Sequence, residues 1–208
     1  GGVGKTRLSL EIASRVSRSQ FGSVHFCDLT YARTADDIVT RVLQDLELVL
    51  IEGVAGDALA LALSQRQNML VIIDNVEQVA QPMKALLARW TAIAPQVTFL
   101  LTSRVRIGLK NEVLHRLDAL PLTDAMSLFM ARAQQAAPLA TLDAELLQAY
   151  ASLIAQKVDR LPLAIELAAA RIRTHSLQDI HDQLDDRFSL LYDRDGQRPE
   201  RQSSLYAA

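Results

Sequence analysis

The sequence opens on GGVGKTRLSL, and the spacing of Gly4-Lys5-Thr6 behind a run of glycines constrains this chain more than any other feature. It matches the close of the phosphate-binding pattern G-x-x-x-x-G-K-[ST]. The pattern's first glycine would fall just before Gly1, so the sequence is expected to start partway through the motif, with the lead-in strand missing. Glycines are required because backbone N–H groups can wrap phosphate oxygens only where no Cβ intervenes. The candidate nucleotide contacts are therefore Gly1, Gly2, Val3, Gly4, Lys5, Thr6 and Arg7. Lys5 would reach the β- and γ-phosphates, and the Thr6 hydroxyl would hold Mg²⁺. Leu8, Ile12 and Val16 step by four and mark one face of a helix from Thr6 to about Val16. Its N-terminal amides would point at the phosphates. A glycine-rich terminus ahead of an ordinary helix is the competing explanation, which the rest of the chain has to decide.

At 208 residues, 50% of them hydrophobic, the chain can bury one large domain or two small ones. A net charge of −2 gives no overall attraction to nucleic acid or anionic membrane, and neither is expected to contact this fragment directly. Cys27 is the only cysteine, which excludes an internal disulfide and suits a reducing cytoplasm. No apolar stretch is long enough for a membrane helix, and no signal-peptide pattern is present. The ending RQSSLYAA carries no stop signal, so a fragment is expected at both ends.

Three apolar runs predict strands covered on both faces: Ser23–Leu29, Met69–Asp74 and Val97–Thr102. Helical segments are expected between them, at about 35–49, 57–67 and 78–93, the first opened by a Thr34/Asp37 capping box. Strands alternating with helices imply a parallel sheet. A fourth short strand is expected around Val113–Leu117. After Asp118 the pattern turns helical. Leu122, Met126, Phe129 and Ala133 share one face; Leu142, Leu146, Tyr150 and Ile154 share a second. Ile180, Leu184, Phe188 and Leu191 share a third, behind a Ser176/Asp179 cap and the alanine-rich stretch LPLAIELAAARIR. The fold expected is α/β: a three-layer P-loop parallel sheet lacking its first strand, over residues 1–117, then an all-helical module over 118–192. From Asp193 to Gln202 the chain turns polar and arginine-rich and reads as a linker, so 193–208 holds that linker and the start of a further domain.

MLVIIDNVEQV places a hydrophobic strand ending in Asp74 where a phosphate-loop fold needs its second acidic motif. Asp74 would hold Mg²⁺ through its water shell, opposite Thr6. Many such ATPases set an acid directly after this Asp to activate water; here Asn75 stands, which cannot act as a base. Glu77 is the nearest alternative carboxylate. Thr102-Ser103-Arg104 ends the third strand at the ligand crevice of a doubly wound sheet, where Arg104 could sense a γ-phosphate. A guanine signature is not met: QKVD at 156–159 lies inside an amphipathic helix, and Asp74 is not followed by D-x-x-G.

Taken in order, GGVGKTRLSLEIA, LVIIDNVEQV, LLTSRVRIGLKNEVLHRLDALPLTDAMSLF and RLPLAIELAAARIRTHSLQDIHDQLDDRFSLL resemble the ATPase core of STAND regulators. That class includes the NB-ARC proteins, and the likeness is greatest to bacterial AfsR- and LuxR-type transcriptional regulators. The resemblance implies that Pro162 packs against adenine. The family's GLPL motif reads Arg160-Leu161-Pro162-Leu163 here, with its glycine replaced. It also implies that a winged-helix domain begins near ERQSSLYAA, with sensor and DNA-binding modules of the same chain beyond. The function implied is an ATP/ADP switch with slow Mg²⁺-dependent hydrolysis, which assembles as a homo-oligomer on activation. An AAA+-like mechanical ATPase and a non-hydrolysing nucleotide-binding scaffold are the alternatives.

Overall fold

A computed structural model describes residues 2–16, 20–48, 55–136 and 143–192, with residues 55–57 and 185–192 described by their backbone alone. Gly1, Leu142 and the 193–208 segment, named above, lie outside the described residues, as do the side chains of Phe188 and Leu191. The described residues form two compact units, one of residues 5–115 and one of residues 2–4 with those from 116 on.

In the first unit the apolar runs become strands β1 (Ser23–Asp28), β2 (Met69–Asp74) and β3 (Val97–Leu101). They form a parallel sheet in the order β1-β2-β3, with Asp28 opposite Asp74. Every residue of β2 is buried, as its central position requires. Alternation divides its side chains between two layers. Met69, Val71 and Ile73 join one core with helices α2 (Ala35–Asp45), α3 (Ala55–Ser64) and α4 (Ala80–Ile93). Leu70, Ile72 and Asp74 face the other way, where α1 (Lys5–Arg15) packs on β1 and β2. Trp90 of α4 is fully buried and stacked on Phe99 of β3 at 6.0 Å, so it serves packing. The Thr34/Asp37 capping box opens α2, satisfying N-terminal amides at both of its ends.

Some sequence expectations change. Residues 113–117 form no strand: Val113 is 77% and Leu114 57% exposed, and the segment pairs with no described neighbour. A short apolar run flanked by charge stays exposed here and adds to neither edge of the sheet. The Leu8/Ile12/Val16 face of α1 is only half-buried, and Ser9 is the helix's buried residue. A 3-10 turn at Val76–Val79 precedes α4, because both valines must reach the core immediately after β2.

The second unit consists of α5 (Leu122–Ala136), α6 (Ala144–Lys157), α7 (Pro162–Ala170) and α8 (Leu177–Tyr192). Phe129, Ile154, Ile165 and Ile180 pack with Ala125, Ala133, Ala151, Ala155 and Ala169, whose small side chains let the helices approach closely. The buried face of α6 is Leu147, Ala151, Ile154 and Ala155; Leu146 is exposed, so the expected face is rotated by one residue. Arg132 of α5 binds Glu166 of α7 through Nε at 2.9 Å and Nη2 at 2.8 Å. Ser176 and Asp179 cap α8 reciprocally.

Between α6 and α7, Asp159 and Arg160 both have positive φ, +53° and +57°. The Arg160 N–H donates to Ala155 O at 2.9 Å, and its carbonyl accepts from Leu120 N–H at 3.1 Å. A capping bond at the end of α6 and one tertiary hydrogen bond therefore hold a non-glycine residue where left-handed backbone costs about 1–2 kcal/mol. Arg160→Gly should remove that strain at an entropic cost of about 0.5–1 kcal/mol. The expected result is a stability equal to or slightly above that of the parent in urea titration. A clear loss would show that the Arg160 side chain, not its backbone, supports the turn.

Candidate nucleotide-binding site

The site begins with backbone. Gly2 and Gly4 have φ of +76° and +94°, which L side chains rarely adopt. A Cβ on Gly4 would meet nothing closer than Pro162 Cγ at 3.9 Å, so conformation rather than crowding demands the glycine. In the same unit Leu163 N–H donates to Gly2 O at 3.2 Å. The glycine segment and Pro162, the first residue of α7, are thus neighbours. Helix α1 follows at Lys5 with no acidic residue in its first turn. Its first amides lack intrahelical acceptors, and the helix dipole favours an anion there.

In the sheet unit, Asp74 is 1% exposed and its carboxylate is enclosed by donors. The Thr6 hydroxyl donates to Oδ2 at 2.7 Å, the Asn75 amide donates to the same oxygen at 3.0 Å, and the Thr102 hydroxyl donates to Oδ1. Burial of a carboxylate is tolerable only with partners of this kind. Thr102 is itself fixed, its N–H donating to Ile73 O at 3.0 Å and its Oγ1 accepting from Asn75 N–H at 3.2 Å. The fold thus brings Thr6, 68 positions away, onto Asp74. A threonine hydroxyl and a carboxylate are hard oxygen donors suited to Mg²⁺. Together with the N-terminus of α1 in the same unit, these residues fit a Mg²⁺-bound phosphate.

Asn75 has φ +64°, which asparagine tolerates better than most residues. Its Nδ2 also approaches Asp28 Oδ1 at 3.0 Å and Thr30 Oγ1 at 2.8 Å. Burial tends to raise the Asp28 carboxyl. Hydrogen bonds from Thr30 and Asn75, with the Arg41 charge, outweigh it and hold Asp28 below its ordinary value. Cys27, one residue earlier, faces the core; burial and then Asp45 push its thiol up to about 12. Glu77 and Arg104 meet each other, Arg104 Nε to Glu77 Oε1 at 3.2 Å, while Glu77 Oε2 is buried without a hydrogen-bond partner among the described residues.

Asp28, Thr30 and the acceptor-donor role of Thr102 were not anticipated. The signal was present: SVHFCDLT, like MLVIID, is an apolar strand that ends in Asp. What the sequence lacks is the register that sets Asp28 beside Asp74.

The pattern of the NB-ARC domain matches residues 1–137. The chain belongs to the NB-ARC family. This NB-ARC chain is therefore a nucleotide-binding module with the α/β P-loop fold. It is 35% identical over 210 residues to a Mycobacterium bovis protein named as a candidate HTH-type transcriptional regulator, covering 100% of this chain and 23% of that protein. It is 31% identical over 203 residues to an uncharacterized Mycobacterium tuberculosis protein, covering 96% and 51%. The chain thus spans about a quarter of the first relative and half of the second. Among solved structures, Drosophila ORC bound to DNA aligns with TM-score 0.62 at 15% identity, covering 96% of this chain and 62% of that one. The Aeropyrum pernix ORC2 protein, in ADPNP–ADP complexes, aligns at 0.59 and 16%, covering 89% and 59%. At these identities the likeness to both structures concerns the fold alone. No helix among the described residues is long and apolar enough to cross a membrane.

Thr102→Val should leave Asp74 short of a donor in a buried place, at a cost of about 1–3 kcal/mol in urea unfolding. The depressed Asp28 carboxyl adds a pH signature. Its stabilisation is present above the ordinary carboxylate pKa and is lost as pH falls through the lower folded value. Asp28→Asn should flatten that part of the acid limb; an unchanged limb would mean its hydrogen bonds do not persist in solution.

Proposed function

We propose that the chain is an ATP/ADP switch module of a larger regulator and hydrolyses ATP slowly with Mg²⁺. The observation that carries this reading is the Thr6–Asp74 hydrogen bond, which joins the last residue of the phosphate loop to the acidic strand end. Lys5 would neutralise the β- and γ-phosphates, the amides of residues 2–7 would wrap them, and Pro162 would pack against adenine. When bound, Mg²⁺ would neutralise charge on the transferring phosphate; Thr6 and Asp74 would hold it. The regulator assignment draws on the relatives named as candidate transcriptional regulators.

A switch requires the two nucleotides to favour different states. The Glu77–Arg104 pair supports such a difference. A γ-phosphate would compete with Glu77 for the Arg104 guanidinium, and ADP has none to offer. Slow turnover follows from Asn75, an amide where many ATPases carry an acid. This favours a switch over a mechanical ATPase.

In the full-length protein, Lys5→Ala should abolish detectable ATP and ADP binding while circular dichroism stays that of the parent. Retained affinity would remove the phosphate-loop assignment. Arg104→Ala should cut discrimination between ATP and ADP more than it weakens ADP. Asp74→Ala should suppress a Mg²⁺-dependent turnover that, in the parent, sits below the roughly 1–10³ s⁻¹ common among enzymes.

A further inference from the structure

Asn75 cannot accept a proton, yet its side chain is tied to a carboxylate on the neighbouring strand. Asp28 and Asp74 are register partners at the carboxyl ends of β1 and β2, and alternation puts both side chains on the sheet face that carries α1. Asp28 Oδ1 and Asp74 Oδ2 each lie 3.0 Å from Asn75 Nδ2, so they are at most twice that distance apart. Oδ1 of Asp28 accepts from the Thr30 N–H at 2.9 Å and the Thr30 hydroxyl at 2.6 Å as well as from Asn75. These three bonds fix the carboxylate plane and leave Oδ2 without a hydrogen bond from the described residues. Two carboxylates this close repel one another.

We propose that Asp28 supplies the carboxylate that orients and deprotonates the attacking water, with Asn75 as the positioning residue that holds it beside Asp74. The inference rests on the nucleotide-switch reading above. Compared with the ATPases that carry an acid after the strand-end Asp, the charge has moved from residue 75 to the tip of the adjacent strand. In the step, the water oxygen bonds to the γ-phosphorus as the bond to the β–γ bridging oxygen breaks. ADP leaves with that electron pair, and the water's proton passes to Asp28 Oδ2 and then to solvent.

The test uses the full-length protein with Mg²⁺ and either ATP or ADP, and measures both affinities beside single-turnover hydrolysis. Asp28→Asn preserves shape, and should lower the rate about 100-fold, the scale of a lost general base. It should also tighten ATP about three- to tenfold by removing a charge near the γ-phosphate, with ADP changed by less than about twofold. The exchanged pair, Asp28→Asn with Asn75→Asp, should recover at least about tenfold of the lost rate, which a purely structural role would not produce. The proposal is overturned if Asp28→Asn hydrolyses ATP like the parent, or if it shifts both affinities by the same factor. It is equally overturned if the exchanged pair recovers no rate, or if the parent binds both nucleotides and hydrolyses none. Failure of the parent to bind either nucleotide would instead reject the switch reading, and this inference with it.

Discussion

The first unit is organised around one buried carboxylate. Asp74 sits at the end of a strand with no exposed residue, and its negative charge has to be met by hydrogen-bond donors from elsewhere. Those donors come from three places: Thr6 in the first turn of α1, Thr102 beyond β3, and Asn75 at the next position. Satisfying one group therefore fixes the phosphate loop's last residue against the sheet and sets the exit of β3. Removing one of these neutral donors leaves a buried acceptor unmet, which costs about 1–3 kcal/mol. The same atoms that stabilise the end of the central strand are those that fit a Mg²⁺-bound phosphate.

Asn75 extends the network sideways. Its left-handed backbone turns the chain sharply after β2, and its amide then spans Asp74, Asp28 and Thr30. An acid at this position would meet two carboxylates at short range. The amide removes that repulsion and at the same time removes the base expected there. What makes the strand ends compatible also makes residue 75 inert as a proton acceptor.

The helical unit solves a different problem. Its core relies on alanines facing Phe129, Ile154, Ile165 and Ile180, so it depends on close helix approach more than on large side chains. The strained Asp159-Arg160 pair lets the chain reverse directly into Pro162, whose fixed φ suits the first position of α7. The family's glycine is absent, yet the left-handed backbone it would supply is retained. Neighbouring hydrogen bonds impose the conformation that residue type alone does not.

The sequence by itself determined the parallel α/β layout, since continuous apolar strands alternating with helices leave few other arrangements. It also determined the glycine loop with Lys5 and Thr6, the acidic strand end at Asp74, and the capping boxes that start α2 and α8. These are local signals, written in neighbours a few positions apart. It misjudged 113–117, whose apolar residues looked like a strand but stay exposed, and it set the α6 face one residue out. Helical periodicity tolerates such a rotation until a neighbouring helix selects the buried side. Only the tertiary structure decided that Asp28 stands beside Asp74, that Asn75 bridges them, and that Glu77 holds Arg104. Each of these joins residues on different elements through strand register or side-chain direction. Neither quantity is encoded at short range; both are fixed when the sheet forms and a buried carboxylate selects the donors that surround it.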